Sequence, residues 1–194
     1  NVWPPNTSQL RRAEALEAEI GQTREGGCPF SHFLAMNSGS ESVSVATRIS
    51  DVNAKALTDE GGRYAGRTIR KMSLAGGFHG RTGRPAMFSD SSGRGYRAHL
   101  ATFRNEHLLT VKPNDVPGLE EMFRRADEEG WFIEAFFMEP VMGEGNPGAA
   151  ITPEFYAAAR RLTREHGSLL LVDSIQSGLR TTGYLSVVDS PGFQ

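Results

Sequence analysis

Asn37-Ser38-Gly39-Ser40 stands just ahead of a segment with helical character. Small residues let a backbone come close to a phosphate, and the free N–H groups and dipole of a helix start favour the anion. The same four residues also make an ordinary helix cap. Gly77-Phe78-His79-Gly80-Arg81-Thr82 follows a short alternating stretch. An aromatic between glycines can lie flat against a planar ring, or it can be a core Phe in a turn, with His79 a satisfied structural histidine. Leu171-Val172-Asp173-Ser174-Ile175-Gln176 ends an apolar run in a carboxylate. A carboxylate there is costly unless it meets a cation or strong donors. A protonated pyridine nitrogen is one such partner, and the start of a following turn, capped by Asp173, is the other reading. A fourth cluster, Glu139-Pro140-Val141-Met142-Gly143-Glu144, places two carboxylates past another apolar run. Paired carboxylates can do acid–base work. Arginine pairing is the preferred reading here, because only three of the 21 basic residues are lysines (Lys55, Lys71 and Lys112).

These clusters need elements to position them. Residues 8–20 carry Leu10, Ala13, Leu16 and Ile20 on one stripe, a helix that Ser8 can cap. Residues 42–57 read as a helix despite their β-branched content, and 67–74 as a strand. Residues 80–105 are rich in Gly, Ser and Arg and read as an extended loop. A helix is expected over 115–129, with an acidic first turn. The apolar run 131–138 is expected to be a strand buried on both faces. After a loop at 143–148, Thr152-Pro153 starts a helix to about His166, and Ser168–Val172 is a second buried strand. Strands alternating with helices predict an α/β domain with a mainly parallel sheet. In such sheets ligands bind beyond the carboxyl ends of the strands, where three of the clusters lie.

Composition narrows the function classes. The chain has 194 residues, 38% hydrophobic and 23% charged, enough for one domain with a real core. A net charge of -2 gives no field for attracting nucleic acid or an acidic membrane. No apolar run is long enough to span a bilayer. Cys28 is the single cysteine, so no internal disulfide forms and no metal-ligand cluster is expected. Asn1-Val2-Trp3-Pro4-Pro5 has no signal-peptide pattern and reads as a turn. Nothing in the sequence separates a cytoplasmic from a mitochondrial location.

Read in order, NSGSES, GGFHGRT, MEPVMGEG and LLLVDSIQSGLRTTGYL resemble the class III aminotransferases. That family includes ornithine, acetylornithine, 4-aminobutyrate and lysine 6-aminotransferases. The resemblance runs from about Met36 to Tyr184. It implies a fold-type I large domain that binds pyridoxal 5'-phosphate, with residues 1–35 as an N-terminal helix and loop segment and 36–194 as part of the cofactor-binding domain. It further implies that Ser38, Gly39 and Ser40 cradle the cofactor phosphate, that Phe78 stacks on the pyridine ring, and that His79 lies beside it. Asp173 matches the catalytic aspartate at the pyridine nitrogen, where its charge keeps the nitrogen protonated and the ring electron-withdrawing. Gln176 matches the residue near the 3-hydroxyl. Glu144 resembles the glutamate that gates two substrates in several ω-aminotransferases, and Glu139 a glutamate with a mainly structural role. The implied activity is ping-pong transamination between an amino donor, an ω-amino or diamino acid, and a 2-oxo acid such as 2-oxoglutarate, in a homodimer.

Two features depart from the family. Ser174 stands where an acidic residue usually follows the aspartate. The Schiff-base lysine is expected downstream of Asp173, yet no lysine follows Lys112. The leading expectation is therefore an incomplete part of an aminotransferase, inactive alone, without the small C-terminal domain. The alternative is a structural or interaction protein that kept the fold and lost the chemistry.

Overall fold

The computed structural model describes residues 6–193, so the Trp3-Pro4-Pro5 turn lies outside the described residues. Two compact units are present, one of residues 6–35 and 178–193, the other Met36–Ser177.

In the first unit, helix α1 (Thr7–Gly21) buries Ile20. Its cap is Asn6, whose side chain accepts from the Gln9 amide at 2.9 Å, and not Ser8. Asn6 is extended and already one turn ahead of the stripe, so Ser8 falls inside the helix. Arg24 pairs with the buried Asp189 at 2.6 Å, and Asp189 also closes a capping box with Ser186.

The second unit is a four-stranded parallel sheet in the order β2-β1-β3-β4. The strands are β1 (Thr68–Leu74), β2 (Leu108–Val111), β3 (Trp131–Met138) and β4 (Leu169–Val172). Helices α2 (Gly39–Thr58), α3 (Gly83–Phe88), α4 (Asp90–His99), α5 (Val116–Glu128) and α6 (Pro153–His166) complete it. The expected α/β class with a parallel sheet is what forms. The apolar run 131–138 is β3 throughout, and only its first residue is not fully buried. Phe132 packs with Ala54 of α2, and Phe137 with Val43 and Phe88 on the same side. Phe136 meets Phe155 of α6 edge-on, so the strand is covered on both faces.

The expectation of an extended loop over 80–105 is corrected. α3 and α4 occupy most of it. Pro85, Ala86 and Phe88 bury one side of α3. α4 is held by tertiary contacts that its polar composition hides: Tyr96 meets Phe103 edge-on, and Arg97 bonds Asn105 at 2.6 Å. β2, four residues long, carried no periodic signal of its own.

From β1 the chain crosses to β2 on one side, then returns through α5 to β3 on the other side of β1. Strand order reverses there, and the crevice beyond the carboxyl ends of β1 and β3 is where a parallel sheet binds ligands.

Candidate functional site

A cavity of about 240 Å3 opens at that crevice, lined by Ser38–Ser40, Phe78–Gly80, Asp173, Ile175 and Gln176. Seven of the expected site residues thus converge: Ser38, Gly39, Ser40, Phe78, His79, Asp173 and Gln176. They come from three separate chain segments, which the sheet topology brings to one end.

Ser38 caps α2, its hydroxyl accepting from the Glu41 amide at 3.3 Å. Glu41 reaches back to accept from the Asn37 amide at 2.8 Å. The ordinary cap expected at this position is therefore real, and it leaves the start of a 20-residue helix facing the cavity. Both properties follow from the same small residues. Gly39 has no Cβ because the Ile175 side chain would lie 2.9 Å from it. Gly80, at φ +108, would put a Cβ 2.8 Å from the Ser40 hydroxyl. Only glycine fits there on both counts.

At the other end, Asp173 directly follows β4, and its backbone amide donates to the Met138 carbonyl at 2.8 Å. One carboxylate oxygen accepts from the Ile175 amide at 3.1 Å and the other lies 2.9 Å from His79 Nδ1. An ionised carboxylate can only accept, so Nδ1 carries the ring proton. His79 Nε2 is buried and has no hydrogen-bond partner among the described residues. The Asx-turn reading of Asp173 and the cation-partner reading are compatible, because one oxygen serves each.

The loop between β1 and α3 is fixed by buried acceptors. The Phe78 amide donates to Glu139 at 2.8 Å, and the Gly143 amide donates to the same carboxylate at 3.1 Å. The His79 amide donates to the Ser89 hydroxyl at 2.8 Å, which in turn donates to the Gly80 carbonyl at 2.8 Å. Burial pushes the Glu139 carboxyl above the usual carboxylate range, against the two amides that lower it. Arginine pairing, expected for both carboxylates of the fourth cluster, is corrected for Glu139. It lies under the loop, where backbone amides reach it and long side chains do not. Glu144 does pair with an arginine, Arg81, at 3.0 Å. Glu144 is not among the cavity-lining residues; Arg81 joins it to the site, because its guanidinium lies 5.5 Å from the Phe78 ring centroid. The Gln176 amide rests on the bare face of Gly143, where a Cβ would overlap it.

Gly80 and Ile175 in the lining, and Arg81 and Ser89 around it, had no role assigned from sequence. Arg81 sat within the quoted GGFHGRT cluster without a role. Ser89 lay in the stretch read as loop, so nothing in the sequence connected it to His79.

The donor set fits pyridoxal phosphate. A helix start with two serines suits the phosphate, Phe78 offers a flat face, and Asp173 supplies the charge that a protonated ring nitrogen needs. The glycines at 39 and 80 leave the space that side chains would fill.

Comparison with known proteins agrees. The profile of the family described as Aminotransferase class-III matches residues 5–193. The acetylornithine aminotransferase of Mycolicibacterium smegmatis is 32% identical over 174 residues, 88% of this chain and 36% of that protein. The putrescine aminotransferase of Pectobacterium atrosepticum is 29% identical over 92% of this chain and 35% of its own length. Among solved structures, the ornithine aminotransferase from Toxoplasma gondii aligns with a TM-score of 0.64 at 26% identity, over 82% of this chain and 34% of that one. The lysine aminotransferase from M. tuberculosis shares the fold, with a TM-score of 0.71 at 22% identity, over 94% of this chain and 43% of that one. The chain spans about a third of the length of the curated relatives it matches.

Proposed function

Because the chain belongs to the class-III aminotransferase family, we propose that the full-length protein carries out pyridoxal-phosphate-dependent transamination between an amino donor and a 2-oxo acid. The observation that carries this reading is the single cavity that joins the start of α2 to Asp173 across Phe78. When bound, the cofactor supplies an electron sink for the carbon that loses its proton. The chain's own residues do the rest. Ser38, Gly39 and Ser40 hold the phosphate, and Phe78 orients the ring. Asp173 keeps a proton on the ring nitrogen, and the Nδ1–H of His79 holds the Asp173 carboxylate in place. Gln176, which lines the same cavity, would meet the ring hydroxyl.

Arg81 is the cation at the mouth, and its pairing with Glu144 sets when that cation is available. In this reading Glu144 is a gate: it holds Arg81 while one substrate enters and releases it to the carboxylate of the other. An ω-amino or diamino donor with 2-oxoglutarate as acceptor suits such a gate, and a homodimer is the proposed assembly.

The test is titration of the purified full-length protein with pyridoxal 5'-phosphate, followed by induced circular dichroism. Asp173→Asn should weaken binding by about tenfold or more and remove turnover. Unchanged binding in both Asp173→Asn and Phe78→Ala would overturn the reading. Binding without turnover in the wild type would favour the catalytically inactive relative instead, for which Ser174 speaks. Glu144→Gln should change the ratio of kcat/KM for donor and acceptor more than it changes cofactor affinity; the reverse would count against the gate.

A further inference from the structure

Outside the lining of the cavity lies a cluster of four charged groups with no part in the chemistry above. Glu134, in the middle of β3, is 1% exposed. Arg84 Nη2 of α3 lies 2.8 Å from both of its carboxylate oxygens. Arg84 Nη1 also reaches Asp51 of α2 at 3.5 Å, and the Lys71 ammonium of β1 stands 3.9 Å from Glu134. The four charges therefore tie two helices to two strands.

An irregularity in the sheet lies at Glu134. Arg70 of β1 pairs with Ile133, but Met72 pairs with Phe136, so β3 carries one extra residue over this step. Glu134 and Ala135 then face the same side: Glu134 meets Arg84, and Ala135 packs in the cluster of Val43 and Phe88. Regular alternation resumes with Phe136 toward α6 and Phe137 toward Phe88. A bulge re-aims a side chain and is rare in a parallel pair.

Stability alone does not account for this arrangement. A buried ion pair is often no more stabilising than apolar residues of the same volume, because desolvation offsets the attraction. Here burial pushes the Glu134 carboxyl up, opposed by Arg84 and Lys71, and the Lys71 ammonium down, opposed by Glu134. Arg84 Nε is buried with no hydrogen-bond partner among the described residues, a further cost. What the cluster does is fix α3. Thr82, just before α3, makes no side-chain capping bond, and the helix is only six residues long. Two routes then lead from the cluster to the site. Arg84 is three residues from Arg81 in the chain. The Lys71 ammonium lies 6.0 Å from the centroid of Phe88, which stacks on Phe137 at 4.0 Å, and Phe137 meets His79 edge-on at 5.5 Å.

We propose that Glu134, held in a β-bulge and gripped by Arg84, is a positioning residue that fixes the loop 77–82 and thereby places Phe78, His79 and Arg81 for the cofactor. Its link to the cofactor rests on the function proposed above; its hold on the loop does not.

The experiment compares wild-type full-length protein with Glu134→Gln and Arg84→Lys. Gln keeps the shape of Glu134 without its charge, and Lys keeps the charge of Arg84 without a nitrogen that spans both oxygens and a second that reaches Asp51. Leu119→Ala, a core truncation on α5 (Leu119 is fully buried), is the control for a general loss of stability. Hydrogen–deuterium exchange without cofactor is expected to speed up by about tenfold in the 77–82 peptide of both variants, and not in that peptide of the control. Exchange there that is unchanged in both variants, or raised equally in the control, overturns the proposal. If Glu134→Gln does not fold, Arg84→Lys decides alone. Pyridoxal 5'-phosphate affinity is then measured on the same proteins. Weakening of about tenfold in the variants with none in the control is expected; equal affinity with a loosened loop overturns the link to the site. Should the wild type itself not bind the cofactor, the proposed function fails while the exchange result still decides the clamp.

Discussion

Strand β3 and the residue just after it carry two buried carboxylates five residues apart, and they are satisfied in opposite ways. Glu134 and Glu139 are each 1% exposed. Burial pushes both carboxyls up. In mid-strand the opposing donors are side-chain cations, Arg84 and Lys71. At the strand's carboxyl end they are the backbone amides of Phe78 and Gly143. Mid-strand backbone groups are spent on the ladder, so a carboxylate there must find a charged side chain. Past the strand end the chain turns, and free amides point inward. The first arrangement ties helices to the sheet, and the second ties loops to each other around the cavity. A carboxylate's place along one strand thus decides whether it organises scaffold or site.

The comparison breaks most severely at Glu134. Glu134→Ala leaves Arg84 and Lys71 close together with only the more distant Asp51, 3.5 Å from Arg84, as a counter-charge. A loss of about 3–5 kcal/mol is expected, as for other buried pairs deprived of one member. Arg84→Met combined with Glu134→Leu should recover most of it, since both charges leave together. Urea denaturation at unchanged m-value measures each step. Equal losses in the single and double variants would mean that packing volume, and not charge, is what Glu134 contributes.

At Glu139 the expected loss is smaller. Glu139→Gln keeps one acceptor oxygen and turns the other into a donor, so one of the Phe78 and Gly143 amides loses its partner. An unpaired buried donor costs about 1–3 kcal/mol. The lower end is expected at neutral pH, because the ionised carboxylate already suffers from burial. Cofactor affinity should fall further than that loss implies, since the Phe78 amide sits at the ring platform. A variant that loses stability and keeps full cofactor affinity would place Glu139 with Glu134 among scaffold residues.

The sequence made the second of these sites legible and hid the first. The run Trp131–Met138 could be read as a buried strand, and the carboxylate after it could be read as a site feature, because turns beyond strand ends hold ligands. The small residues at 38–40 and the carboxylate at 173 were likewise visible from residue type and position. Glu134 interrupts the same apolar run, but nothing in one chain's letters signals a bulge, which depends on register against β1. Arg84 lay in a stretch whose Gly, Ser and Arg content resembles loop, although Phe88 and Tyr96 supply α3 and α4 with tertiary partners. Glu139 was assigned the wrong partner for a related reason: composition favoured arginine, and the fold delivered backbone amides. Local patterns reported where elements end, whereas pairings between elements were decided by topology.

The smallest effect is the dependence on pH, and it gives the cleanest separation of the two carboxylates. A carboxyl whose folded pKa lies above its unfolded value of about 4.3 binds protons more tightly when folded. Its contribution to stability is therefore fully present below that unfolded value and is lost as pH rises through the folded pKa. Both Glu134 and Glu139 act in this direction. Glu139→Gln removes one of the two contributions, so the stability gap between wild type and variant should widen as pH falls from neutral toward about 4. Thermal unfolding of both proteins across the acid range gives the gap directly. A gap that narrows on acidification would mean that the Phe78 and Gly143 amides outweigh burial at Glu139.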